Sequence, residues 1–222
     1  MTTLYTTYRS RGTRNIWLAH ELGLALDIVQ VVQAYRLADP DAPDAVMNTR
    51  SPAFLALSPA GAIPVLKDGD LVLSESLAIN LYLAQKHGGP LAPADAAEQA
   101  QMVQWALYGM TSLEPGTLAA MYVYTQNRAA TPEGRAELER LTQELLRPLA
   151  ALEAHLVATG GHMVGGRFTV ADINMAEIVR YAQAHAPMLQ PFPAILSWLA
   201  AAQARPAFAA MMAAREAEPL TF

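Results

Sequence analysis

Residues 58–79 read SPAGAIPVLKDGDLVLSESLAI. Two short apolar runs lie on either side of Asp68-Gly69, a dipeptide that supplies the positive φ values of a tight turn, so the stretch predicts a β-hairpin. Its two ends are less ordinary. Pro64 cannot donate to a strand ladder and therefore belongs at an edge or a strand start. It is either a plain edge-strand proline or the second residue of a cis peptide bond. A cis bond turns Ile63 out of the sheet, where its N–H and C=O can pair with a peptide-like ligand in the manner of an added strand. At the other end, Ser74-Glu75-Ser76 opens a helix. Ser74 would serve as an ordinary N-cap. The same helix end also attracts a carboxylate through its N–H groups and dipole. The Ser76 hydroxyl adds a donor there, and Glu75 offers an acceptor to an ammonium group. Together these groups suit an α-amino acid head group.

Outward from the hairpin, the upstream chain alternates. Residues 4–8 read as a strand, rich in aromatic and β-branched side chains. From about Arg11, Ile16, Ala19 and His20 recur at helical spacing, and Gly23 stops the helix. Residues 26–32 (LDIVQVV) form a second strand, followed by a loop rich in Asp and Pro. Ser51-Pro52 starts a short helix, with Ser51 accepting at the N-cap. A helix from about Ser76 ends before Gly88. The first two strands flank a helical crossover and should be parallel. This predicts a small α/β domain over residues 1–87.

Residues 88–94 read as a linker, and residues 95–222 as an all-helical domain. Asp95 can cap a helix through Trp105 and Tyr108, which Pro115 and Gly116 should bend or interrupt. Thr131-Pro132 starts another helix. There Leu138, Leu141, Leu145, Leu149, Leu152 and Leu156 make one apolar stripe, and Pro148 should kink it. Thr169 and Asp172 have the spacing of a capping box, with Asp in place of Glu. The last two helices each open on a proline, at Pro193 and Pro206.

The 222 residues carry a net charge of −5 and no basic block, which argues against a nucleic-acid partner. With 53% apolar residues, burying a core presents no difficulty. Cysteine is absent, so a disulfide framework, a thiolate metal site and a cysteine nucleophile are all excluded from this chain. The five histidines are scattered without metal-ligand spacing, and no metal is expected. The polar, strand-like start does not read as a signal peptide. No apolar stretch is long enough to span a membrane, so the expectation is a cytoplasmic protein.

One more segment carries candidate chemistry. In YRSRGTR (8–14), Arg11 and Arg14 fall in a first helical turn, where cations oppose the dipole and a bound anion would relieve the penalty. For Arg14 a structural salt bridge is the plainer reading. Ser10 is an N-cap candidate whose hydroxyl could equally face a ligand atom.

In sequence order, SRGTRNIWLAHELGL, FLALSPAGAIPVLKDGDLVLSESLAINLYLAQKHG, RFTVADI and SWLAAAQARPAF resemble the glutathione transferase family along nearly the full length. The resemblance implies a thioredoxin-like N-terminal domain, an all-helical C-terminal domain and a homodimer. It implies a cis bond before Pro64, Ile63 holding the cysteinyl part of glutathione through its backbone, and Glu75 and Ser76 holding the γ-glutamyl head. Ser10, four residues before Arg14, fits the Ser-x-x-x-Arg pattern of serine-type, bacterial-like members. Tyr-Arg-Ser also looks like the start of the motif in zeta-like members, although the Ser-Ser-Cys run of those isomerases is missing. Thr7 and Tyr5 are rival hydroxyls. Many relatives have Lys or Gln where this chain has Ala62; Arg50 is the residue that could replace that contact to the glycyl end.

The resulting expectation is a glutathione transferase. Ser10 activates the thiol of glutathione, the co-substrate, in the field of the helix that follows, with Arg11 nearby. The thiolate attacks a small hydrophobic electrophile lodged near Tyr108 and Gly109, in a detoxification reaction. Alternatives are a glutathione-dependent isomerase or dehalogenase using the same thiolate, and a non-catalytic binding or scaffold protein.

Overall fold

The structure, a computed structural model, describes residues 2–221; the outermost residues of the two expected domains, 1 and 222, lie outside it. In chain order the elements are β1 (Thr2–Thr6), α1 (Thr13–Leu22), β2 (Asp27–Gln30), α2 (Pro52–Leu55), β3 (Val65–Asp68), β4 (Leu71–Ser74), α3 (Ser76–His87), α4 (Ala96–Tyr108), α5 (Glu114–Thr125), α6 (Pro132–Ala158), α7 (Val170–Val179), α8 (Ala186–Leu189), α9 (Pro193–Gln203) and α10 (Pro206–Ala217).

Contacts divide the chain into two compact units. The first runs through His87 and also takes in the chain from Pro206 onward; the second is Gly88–Arg205. Helix α10 therefore lies with the first unit, although it closes the segment the sequence assigns to the helical domain. Its partner is α1: the Phe208 and Trp17 rings meet edge to face, with centroids 4.9 Å apart.

In the first unit a four-stranded sheet has the order β2-β1-β3-β4. β1 and β2 are parallel across α1, and β3 pairs antiparallel with both β1 and β4. Leu4, Val65 and Leu66 from the sheet, Ile16, Trp17 and Leu18 from α1, and Ile79 and Leu83 from α3 are all buried. The hairpin forms as the sequence predicts, with the positive φ carried by Gly69 at 62° rather than by Asp68.

β1 ends two residues before the predicted limit. Past Thr6 the backbone donors of Tyr8 and Arg9 go to the Glu218 carboxylate instead of to a strand. α1 begins at Thr13 instead of Arg11, with Gly12 in the N-cap place and no side-chain cap. β2 is also shorter than the run 26–32. Beyond it Val32 pairs with Asn48 in an isolated bridge. At α2 the expected cap is not made: the Ser51 hydroxyl accepts from Asn48 N–H (2.9 Å), upstream of the helix.

In the helical unit the local signals correspond closely to the observed elements. Asp95 accepts from Glu98 N–H and Thr131 from Gly134 N–H, each as an N-cap. The six predicted stripe leucines of α6 are all buried. The capping box at Thr169–Asp172 is complete in both directions. α7 is buried at all its positions, its polar Asp172, Asn174 and Glu177 included. The expected interruption by Pro115 takes the form of one π-helical stretch, Gly109–Leu113. A proline ring clashes with the carbonyl four residues back, here Thr111, and a widened turn accommodates it. α6 continues through Pro148 for 27 residues. The carbonyl that loses its helical donor there belongs to exposed Glu144, within reach of water.

Candidate active site

Strand register gathers the candidate residues. Tyr5 pairs with Val65, and Val65 with Ser74. The residues after β1 (Thr7 to Ser10), before β3 (Ile63 and Pro64) and after β4 (Glu75 and Ser76) therefore leave the sheet at the same end. The Ile63–Pro64 bond is cis. β3 begins only at Val65, so the Ile63 N–H and C=O stand outside the ladder. The Ile63 side chain packs, beside Tyr5, on a cluster of Val31, Phe54 and Val65.

Glu75, the residue before α3, is exposed and has a left-handed backbone, φ 67°. For a non-glycine residue this costs of order 1–3 kcal/mol, which must be offset by its surroundings. Ser76 is buried and gripped from α1: Arg14 Nη1 donates to its Oγ at 3.0 Å, and Asn15 Nδ2 donates to its carbonyl at 2.8 Å. Since Ser76 Oγ accepts from Arg14, its own proton remains available in another direction. Arg14 itself is wholly buried. It belongs to the Ser76 site rather than to an exposed first turn. Arg11 is exposed in the turn before α1, outside the helix in which the sequence placed it.

Ser10 is half-buried in that same turn. Its hydroxyl donates to Thr7 C=O (2.6 Å), accepts from Gly12 N–H (2.9 Å) and lies 3.0 Å from the Thr6 hydroxyl. A Cβ on Gly12 would fall 2.0 Å from Thr6 Oγ1, so only glycine lets the turn close against β1. Of the two rivals, Thr7 is 1% exposed with its hydroxyl given to Glu218. Tyr5 is half-buried.

Arg50 is exposed and ion-paired with Asp41 at 2.5 Å, both side chains 59% accessible, a pairing of little energetic weight. Tyr108 lies in the helical unit. Its hydroxyl donates to the Pro148 carbonyl (3.0 Å), its ring meets Trp105 edge-on, and burial raises its pKa.

Residues 4–91 match the family described as Glutathione S-transferase, N-terminal domain, and residues 99–206 the one described as Glutathione S-transferase, C-terminal domain. Glutathione S-transferase 3 of Zea mays is 35% identical over 173 residues, 74% of this chain and 77% of that protein. The chain belongs to the glutathione S-transferase family. Among solved structures of the family, glutathione S-transferase III in apo form superposes with a TM-score of 0.76 at 31% identity, covering 98% of both chains. The glutathione transferase URE2P6 of Phanerochaete chrysosporium, in complex with oxidized glutathione, superposes with 0.74 at 25% identity, covering 97% of this chain and 96% of that one. The first unit has the thioredoxin-like fold of the transferases, and the second is all-helical as theirs is.

Among the described residues of this transferase, no group of three His, Asp or Glu side chains could hold a metal ion, and no helix is long and apolar enough to cross a membrane. Two features of the site escaped sequence reasoning. The Ser-x-x-x-Arg spacing marks Arg14, but nothing local says that it reaches Ser76, 62 residues away. Glu218 lies near the end of the chain, in an Ala-rich helix-exit segment with no motif.

Proposed function

We propose that the protein is a cytoplasmic glutathione transferase that binds glutathione at the sheet end formed by Ile63, Glu75 and Ser76. The observation that carries the reading is the junction of β4 and α3. There a strained, exposed Glu75 precedes a Ser76 whose hydroxyl is oriented by a buried arginine. Glu75 offers a carboxylate to the γ-glutamyl ammonium, and Ser76, next to the α3 N-terminus and Arg14, offers a donor to its carboxylate. The backbone of Ile63, outside the ladder, takes the cysteinyl residue as a strand would. Arg50 is the cation for the glycyl end, and Arg11, in the turn beside Ser10, is the one nearest the thiol. Turning from the Thr7 carbonyl to the sulfur, the Ser10 hydroxyl stabilises the thiolate.

The thiolate then attacks the electrophilic carbon of a small hydrophobic substrate. A C–S bond forms, and either the leaving group departs with its electron pair, or the attacked π-bond breaks and the carbon that receives its electrons takes up a proton. Tyr108 contributes ring surface to that substrate, its hydroxyl being used by Pro148. Detoxification is the role such chemistry serves. A homodimer is supported by exposed apolar side chains on both units, Leu71 and Val72 on β4, Val103 and Leu107 on α4.

The test is thiolate absorbance of the glutathione complex against pH, together with turnover of a chloronitroaromatic. A bound thiol titrating below the ordinary value of about 8.5, with conjugation, supports the reading. Glutathione binding without either leaves only a binding protein, and no binding at all ends the proposal.

A further inference from the structure

The most heavily partnered carboxylate of the first unit is far from the site in sequence. The side chain of Glu218, just past α10, is 5% exposed. One of its oxygens accepts from Tyr8 N–H (2.8 Å) and from the Thr7 hydroxyl. The other accepts from Arg9 N–H (2.9 Å) and from Arg36 Nη1 (3.2 Å). Burial pushes this carboxyl up, but the donors of Thr7, Arg9, Tyr8 and Arg36 more than offset it and hold it below its ordinary range.

The segment around Glu218 is tied down as well. Arg9 Nε donates to the Glu218 carbonyl (2.8 Å) and Arg9 Nη2 to that of Glu216 (3.3 Å). Arg36 Nε donates to the Leu220 carbonyl (3.1 Å), and Arg36 Nη2 to that of Pro219. Gln33 closes the ring, donating to Arg9 C=O (2.9 Å) and accepting from Arg36 (3.0 Å). Residues 7–9 are thus held, side chain and backbone, by one carboxylate. Those residues lead directly into Ser10, whose hydroxyl is oriented by the carbonyl of Thr7.

We propose that Glu218 is a positioning residue for thiol activation: its carboxylate fixes the Thr7–Arg9 backbone and thereby the place of the Ser10 hydroxyl, so the end of the chain acts as a strap on the activating loop. This rests on the reading of Ser10 given above. Two opposing roles are separable by sign. If Glu218 acts through its charge, removing it takes a negative charge away from the loop, and the bound thiol's pKa falls. If it acts by position, the donor is misplaced and the pKa rises.

Glu218→Gln keeps the shape and loses the charge. Glu218→Asp keeps the charge and withdraws it by about 1.5 Å, one C–C bond. In both variants the bound glutathione thiol should rise by about one unit, with turnover well below that pKa falling about tenfold and KM for glutathione staying within about twofold. Glu216→Gln, the same charge change on an exposed side chain, should titrate like the unmodified protein. Melting temperatures are taken alongside; if Glu218→Gln does not fold, the milder Glu218→Asp carries the test. A thiol that falls with Gln and stays put with Asp overturns positioning. A depressed thiol in the unmodified protein that neither variant moves overturns the role of Glu218 alone. An unmodified protein whose bound thiol titrates like free glutathione overturns the Ser10 reading as well.

Discussion

Ser10 shows how much can depend on one rotatable proton. In the free protein that proton goes to the Thr7 carbonyl, while Gly12 N–H supplies a donor to the same oxygen. Turning the hydroxyl toward sulfur exchanges a neutral acceptor for a charged one, a stronger bond. Losing it should cost about 1.5–3 kcal/mol, or roughly one to two units of thiol pKa at 1.36 kcal/mol each. Ser10→Ala is therefore expected to raise the pKa of bound glutathione and to cut turnover near neutral pH, with affinity changed less. Thr7→Val and Tyr5→Phe serve as comparisons in the same titration; a larger rise in either than in Ser10→Ala would move the role to that hydroxyl. Glu75 makes the complementary case. Its left-handed backbone disfavours a side chain by about 1–2 kcal/mol, and glycine returns part of that through a freer unfolded chain. Glu75→Gly should leave the protein as stable as before, or more stable by up to about 1 kcal/mol, while glutathione affinity drops. Calorimetry and thermal melts on the one variant separate strain kept for binding from strain without purpose. Loss of stability with intact affinity would assign Glu75 to the fold.

At the scale of elements, Asp172 does more than close a capping box. Besides Thr169, it accepts from Met163 N–H (3.0 Å) and from Trp198 Nε1 (2.9 Å), joining the start of α7 to the turn after α6 and to α9. Asp172→Ala leaves several buried donors without an acceptor. It should cost at least about 3 kcal/mol, more than a cap alone, with the glutathione site untouched in any variant that stays folded. Denaturant titration measures the first, and thermal shift with glutathione the second. Burial raises the pKa of Asp172 against the pull of Trp198, Thr169 and Met163. Its charged state is thus held less firmly than a surface carboxylate's.

Glu98 in the first turn of α4 is the opposite. The Arg167 guanidinium, with Ala94 N–H, lowers its pKa from 4.5 to about 2. A lowered folded-state pKa means the clamp is fully present above pH 4.5 and is lost as pH falls through about 2. The stability gap between Glu98→Gln and the unmodified protein should be widest above pH 4.5 and close toward pH 2; a gap independent of pH would deny the clamp. Elements of this kind were legible because their signals are local: Thr169 and Asp172 three apart, the α6 leucines at threes and fours, a glycine in a two-residue turn. Ser51 shows the limit. Its hydroxyl has an equally local but opposite partner in Asn48, and composition does not choose between them.

For the molecule as a whole, sedimentation at micromolar concentration is expected to give about twice the 23.9 kDa chain mass; a clean monomer would leave the exposed apolar side chains of β4 and α4 without explanation. The hairpin, the special proline at its start and the helix opening at Ser76 could be read from the sequence because they lie in a single contiguous stretch. Nothing in the sequence placed Arg14 on Ser76 or Glu218 on Thr7. Those pairs are 62 and 211 residues apart, and a contact at such separation leaves no periodicity to read.

The partnership of α10 with α1 bears on how the protein is made. The helical unit is one unbroken stretch, Gly88–Arg205, whereas the sheet unit is interrupted by the whole of it. During synthesis from the N-terminus, the α1 face that receives Phe208 emerges early and waits uncovered until α10 leaves the ribosome. Domains usually mature in the order in which they are translated. Here the unit translated first is expected to be finished last. A nascent chain stalled before Pro206 should hold a folded helical unit and a sheet unit still missing α10.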